Sequence, residues 1–148
     1  MYKLSLLRKE YFDGKIIPEA NEKEHRIHLY LPLNFNNLYF LIPFESNLFL
    51  KNSVAHYRLP TCDRPNAGLN FEKVIILEEN ELGYINFTDI RIPRKQLEKI
   101  EEGISEIEKK FERYLNNFIK ACQKKRERRE FKYRYSTLHY YKELLYTD

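Results

Sequence analysis

Asn37-Leu38-Tyr39-Phe40-Leu41-Ile42-Pro43-Phe44-Glu45-Ser46-Asn47 is an apolar stretch that stops at a polar break. Leu38 to Ile42 are five apolar or aromatic residues in a row, which reads as a buried strand. Pro43 has no N–H to give to a sheet ladder, so it is expected to end that strand or hold it at an edge. Ser46 and Asn47 then stand where a core strand opens to solvent, a usual place for a site on a rigid scaffold. Taken alone, Glu45-Ser46-Asn47 reads more readily as an ordinary turn than as a site.

Upstream, Asn34 to Asn37 makes a hairpin turn into this strand. Arg26 to Leu31 alternates polar and apolar residues, as a half-buried strand does. Asp13-Gly14 is a turn signal, residues 18–24 form a polar loop, and Tyr2 to Leu7 is a first strand. Downstream, residues 48–70 carry Pro60, Pro65 and Gly68 and read as one long irregular loop, a length often kept for function. Lys73 to Leu77 is a short buried strand, residues 78–82 turn, and Tyr84 to Phe87 is a last strand. The period then changes. Pro93 suits a first helical position. Leu97, Ile100, Ile104, Ile107, Phe111, Leu115, Phe118 and Cys122 follow at spacings of three and four, the stripe of a long amphipathic helix. Gly103 interrupts it at about 1 kcal/mol relative to Ala and marks a possible bend. The stripe predicts a helix packed on the sheet. Its alternative is a dimerising coiled coil, for which about three and a half heptads is a short run.

The chain of 148 residues reads as one domain, 1–148, large enough for a real core. No apolar run approaches the ~18 residues that span a bilayer, and the N-terminal residues lack the pattern of a secretory signal. The expected location is the cytoplasm, with no membrane partner. Cys62 and Cys122 are unpatterned, and His25, His28, Cys62 and His139 show no ligand spacing, so neither a metal nor another cofactor is expected. Twelve Tyr and ten Phe can serve as core or as stacking surface, and composition alone favours core.

Charge is unevenly spread. Residues 120–148 hold nine Lys or Arg against four acids, while the rest of the chain has 17 basic and 18 acidic groups. A localised basic stripe is the footprint of a polyanion partner. Lys124-Lys-Arg-Glu-Arg-Arg-Glu-Phe-Lys-Tyr-Arg-Tyr135 interleaves cations with rings, the chemistry of phosphate binding plus base stacking. The expected nucleic-acid contacts are Lys124, Lys125, Arg126, Arg128, Arg129, Lys132 and Arg134, with Tyr133 and Tyr135 stacking. The same cations also suit a solvated helix C-terminus.

Three segments in order, Phe40–Asn47, Gly68-Leu-Asn-Phe-Glu-Lys73-Val-Ile-Ile-Leu77 and Tyr135-Ser-Thr-Leu-His-Tyr-Tyr-Lys142-Glu-Leu, with a long helix before the last, resemble the ToxN/AbiQ-like toxins of type III toxin–antitoxin systems. The resemblance implies an α+β fold: a compact, strongly bent antiparallel sheet or partial barrel flanked by helices. It implies a metal-independent, sequence-selective endoribonuclease active in phage defence by abortive infection. The implied partners are cellular mRNA and a small structured RNA antitoxin, processed by the toxin and held in a protein–RNA hetero-oligomer, with no DNA partner. Ser46 matches the serine of the family's Thr-Ser pair. Glu45 stands in place of the threonine and Leu48 in place of a lysine, whose charge Lys51 would supply. Lys23 and Arg26 lie near a lysine that the family sets before its second main strand. Ser136 and Thr137 match the C-terminal motif as structural residues.

Metal-free RNA cleavage lets the ribose 2′-OH attack its own phosphate, leaving a 2′,3′-cyclic phosphate and a 5′-OH. It needs a base, an acid and donors to the charged intermediate. The candidates around the strand end are Ser46, Lys51, His56, Tyr57 and Arg58. His56 brings an imidazole, the side-chain type most used as general acid or base, Arg58 the fork of donors, and Ser46 a hydroxyl for the phosphate. Glycine-rich phosphate loops, thiol signatures and paired carboxylates are missing from the sequence. The rival reading is a non-catalytic RNA-binding domain that uses the basic stretch alone. A third is an interaction module built on a coiled coil over residues 93–122.

Overall fold

The computed structural model describes residues 4–13, 29–48, 52–87 and 92–145. The fold is α+β. Seven short strands, β1 (Ser5–Leu7), β2 (Tyr30–Phe35), β3 (Leu38–Glu45), β4 (His56–Arg58), β5 (Gly68–Asn70), β6 (Ile75–Leu77) and β7 (Ile85–Phe87), form one antiparallel sheet. A long helix, α1 (Arg94–Gln123), and a single turn, α2 (Lys142–Leu145), complete it. The strand order is β4-β5-β3-β2-β1-β7, with β6 also on β3.

β3 is the spine, and the hairpin before it follows its sequence. Asn36 and Asn37 have φ of 51° and 65°, the left-handed values that a two-residue turn needs and that Asn tolerates best after Gly. The turn sets the register Phe35↔Leu38 through Tyr30↔Pro43. Pro43 does not end the strand: β3 runs through it to Glu45. The reason lies in the other edge of β3. β6 pairs with Tyr39 to Leu41 and β5 with Phe44 and Glu45, so Pro43 falls in the gap between them. Phe44 N–H donates to Leu29 at 2.9 Å on the β2 side. The nitrogen of Pro43 therefore faces the gap, where the ladder asks for no donor.

The stretch 48–70 is not one irregular loop. It contains the β4–β5 hairpin, with register His56↔Asn70, Tyr57↔Leu69 and Arg58↔Gly68. Strands of three residues leave too little alternation to be read from sequence.

α1 carries the expected stripe onto the sheet, and its 30 residues span about 45 Å. Pro93 precedes the first turn and its carbonyl accepts from Gln96 and Leu97. Phe111 sits at the centre, with ring centroids 5.2 Å from Phe40 and 5.3 Å from Phe71. Ile100, Ile107, Leu115 and Phe118 are buried beside it. The apolar stripe is thus taken up by this chain's own sheet.

Gly103 does not break the helix. A Cβ there would lie 2.6 Å from the Tyr57 hydroxyl, which bonds the Glu106 carboxylate. The glycine makes room for β4. Gly103→Ala should therefore forfeit the ~1 kcal/mol that helix propensity offers. In a Tyr57→Phe background the nearest ring carbon is at 3.6 Å, an ordinary contact, and the gain should return. Denaturant midpoints of the two single variants and the double variant measure that coupling.

The helix stops at Gln123 in a Schellman motif. Lys125 N–H donates to Cys122 at 3.0 Å and Arg126 N–H to Ala121 at 2.8 Å, with Lys125 left-handed at φ 58°. The basic run is therefore not a helix end. It is a series of turns that leads to a short 3-10 turn at Phe131–Tyr133.

Candidate functional site

The sheet aligns one set of predicted residues. Glu45 lies opposite Gly68 on one side, and Arg58 opposite Gly68 on the other. The Cα atoms of Glu45 and Arg58 are thus two strand spacings apart, about 10 Å. Gly68 permits this: a Cβ would strike the Tyr57 carbonyl and lie 2.8 Å from a Leu48 methyl and 3.0 Å from the Arg58 Cα. Ser46, the next residue along, is exposed, as is Arg58. Arg58 donates through Nη2 to the Pro65 carbonyl at 2.9 Å, and its other guanidinium donors have no hydrogen-bond partner among the described residues. Glu45 pairs with Lys73 at 3.3 Å. Lys73 brings an ammonium to this strand end, a cation that sequence reasoning sought in Lys51. Its signal was its place just after β5, legible only once β5 is seen beside β3. Lys51, Lys23 and Arg26 lie outside the described residues.

His56 is not an exposed loop residue. It opens β4 and is 2% exposed. Nε2 lies 3.4 Å from Glu72 Oε1, and neither ring nitrogen has a hydrogen-bond partner among the described residues. Asn70 Oδ1 accepts from Glu72 N–H at 2.9 Å and so fixes the start of the Phe71–Lys73 turn. A general acid or base must touch the reacting atoms. As it stands, His56 is a covered partner of Glu72.

The basic run is exposed at Lys124, Lys125, Arg126, Arg128, Arg129 and Arg134, and half-exposed at Lys132. None of the six exposed cations forms an ion pair among the described residues. The nearby acids are taken, Glu127 by Lys142 at 3.6 Å and Glu130 by Lys132 at 4.0 Å. Tyr133 is a correction: it is 0% exposed, with Tyr114 and Phe118 at 5.3 and 5.2 Å, and cannot stack on a base. The short 3-10 turn points it inward and its neighbour Phe131 outward. Tyr135 keeps the expected exposure at 57%, and Phe131 joins it at 46%.

The basic run meets the turn that precedes β4. Asn52 Nδ2 donates to the Lys132 carbonyl at 2.9 Å, and the Tyr114 hydroxyl donates to the same oxygen at 3.3 Å. The turn leading into β4 is thereby tied to the basic run. Between Asn52–Val54 and Glu130–Lys132 lies an open cleft of about 380 Å³. A larger cleft of about 510 Å³ lies at the β2–β3 hairpin end. Its lining has Glu78 and Glu79 but no cation, which disfavours phosphate.

Ser136 and Thr137 are structural here. Ser136 Oγ accepts from Leu138 N–H at 3.2 Å, and the Thr137 hydroxyl donates to the Val74 carbonyl. His139 holds the Tyr133 carbonyl at 2.7 Å. Burial pushes its pKa below the usual value, opposed by the Tyr133 bond and helped by Arg128 and Lys142. A folded pKa below the unfolded ~6.5 gives stability that is present above that value and lost as pH falls toward the folded pKa. Moving from about pH 7 to about pH 5.5 should cost the wild type more stability than His139→Gln, read as the shift in urea midpoint.

Among the described residues, no three His, Cys, Asp or Glu side chains gather to hold a metal ion, and no helix is long and apolar enough to cross a membrane. No protein-family model, curated protein or solved structure matches the chain.

Proposed function

We propose that the chain is a sequence-selective endoribonuclease toxin of the type III, RNA-antitoxin kind. It would cut RNA to 2′,3′-cyclic phosphate and 5′-OH ends without a metal and be held in check by a small structured RNA that it processes, in phage defence by abortive infection. One observation carries the reading on the side of the geometry: the exposed basic run is fastened by the Asn52 bond to the Lys132 carbonyl to the turn that leads into β4, the strand that ends at Arg58. The resemblance of the three sequence segments supports the nuclease half.

In this reading RNA phosphates lie along residues 124–134. Arg58 and Ser46 donate to the scissile phosphate as charge builds on it. Lys73 adds a charge at the same strand end. The 2′ oxygen attacks phosphorus, the bond to the 5′ oxygen breaks, the 2′ proton passes to a base, and a water molecule supplies the proton that the 5′ oxygen gains. Glu45, beside Lys73, takes the base role that sequence reasoning gave to His56. His56 and Glu72 then support the β4–β5 hairpin from beneath.

The burial of His56 also favours a second reading, an RNA-binding domain that does not cut. Brief expression followed by mapping of new 5′-OH ends separates the two. Recurrent cuts within one short motif, lost in an Arg58→Ala variant, are expected. RNA binding with no new ends would leave the second reading, and a chain that binds no RNA would remove both.

A further inference from the structure

We propose that the cleft between Asn52–Val54 and Glu130–Lys132 is a subsite for one unpaired nucleobase of a single-stranded RNA, with Phe131 as its stacking face. The inference rests on the reading that this chain binds RNA, and adds which form of RNA it takes and where. Phe131 and Val54 are 46% and 47% exposed and line the same cleft. Exposed apolar side chains that adjoin one another, unlike single scattered ones, mark contact sites. The Arg134 guanidinium lies 5.9 Å from the Phe131 ring centroid, so one face of the ring already has a cationic partner.

Charge divides the cleft from its rim. Within it, Glu130 and Lys132 are paired at 4.0 Å and cancel, which disfavours a phosphate. What remains is a ring, a methyl-bearing side chain and the Ser53 hydroxyl, which suit a flat base with a polar edge. Around it, Arg128, Arg129 and Arg134 are exposed and suit the flanking phosphates. The turn that holds Phe131 is fixed by buried Tyr133, so the ring is presented ready-placed. A duplex keeps its bases stacked on one another and offers no free face to such a ring.

The test is a titration of a labelled single-stranded RNA and a duplex RNA of equal length against the wild type, Phe131→Ala and Phe131→Trp. The chain has no tryptophan, so the last variant also carries a unique fluorophore. Phe131→Ala should weaken single-strand binding about 10-fold or more while leaving the salt slope and duplex binding unchanged. Phe131→Trp should keep the affinity, and its emission should be quenched by the single strand and not by the duplex. Equal single-strand affinity for wild type and Phe131→Ala would overturn the subsite and leave the basic run as the RNA contact. A wild type that binds neither RNA would overturn the subsite and the RNA reading together. A wild-type dimer that Phe131→Ala dissociates, seen by light scattering, would overturn it in favour of a contact between copies of the chain.

Discussion

Gly68→Ala will destabilise the fold by about 3 kcal/mol, the upper range for forcing a methyl into a packed site. The added Cβ meets the Tyr57 carbonyl, a Leu48 methyl at 2.8 Å and the Arg58 Cα at 3.0 Å. Two of the three are backbone, so no rotamer change relieves them. β4 must move away from β5, and the pairings Tyr57↔Leu69 and Arg58↔Gly68 lengthen with it. Gly83→Ala is the matched control: nothing lies within 4 Å of a Cβ at Gly83, and its urea midpoint should stay close to wild type. Urea unfolding followed by circular dichroism measures both. A Gly68→Ala midpoint equal to that of wild type would mean that β4 is held far more loosely than its register implies.

The second large effect concerns chemistry. Arg58→Ala should lower single-turnover RNA cleavage by about 10²- to 10³-fold, the usual cost of removing a preorganised donor to developing charge. RNA affinity should change only a few-fold, because in the proposed reading the cations of residues 124–134 supply most of the phosphate contacts. The lost bond to the Pro65 carbonyl is exposed, so stability should fall by no more than about 1 kcal/mol. Arg58→Lys keeps the charge and loses the fork, and should recover only part of the rate. If affinity falls as far as rate, Arg58 acts in binding the ground state and the catalytic assignment fails.

The sequence was most legible where one signal repeats. The stripe from Leu97 to Cys122 gave α1 almost to the residue, because eight side chains at helical spacing have one common face. Asn36-Asn37 gave the hairpin, because few residues accept positive φ. Pro43 misled, since a proline stops a ladder only where a donor is required, and which edges β5 and β6 occupy is a tertiary fact. His56 and Tyr133 were legible as residue types and not as positions. One lies inside and the other faces the core through the register of a three-residue strand and the direction of a three-residue turn. The exposed cations were the safest part of the candidate site, because hydration favours leaving long charged side chains outside. Lys73 was missed because its neighbour Glu45 is 28 residues earlier in the chain.

The inward turn of Tyr133 has a thermodynamic consequence for whatever polyanion the chain meets. Basic segments that bind nucleic acid are often unstructured, and part of their interaction energy is consumed in ordering them. Here a buried ring between Tyr114 and Phe118, and the Asn52 bond to the next carbonyl back, tie down the end of the run before any partner arrives. The cations near that anchor keep a set spacing. Association then behaves as rigid docking, with a small heat-capacity change for its contact area, and a polyanion is selected by how its phosphates are spaced as well as by how many it has.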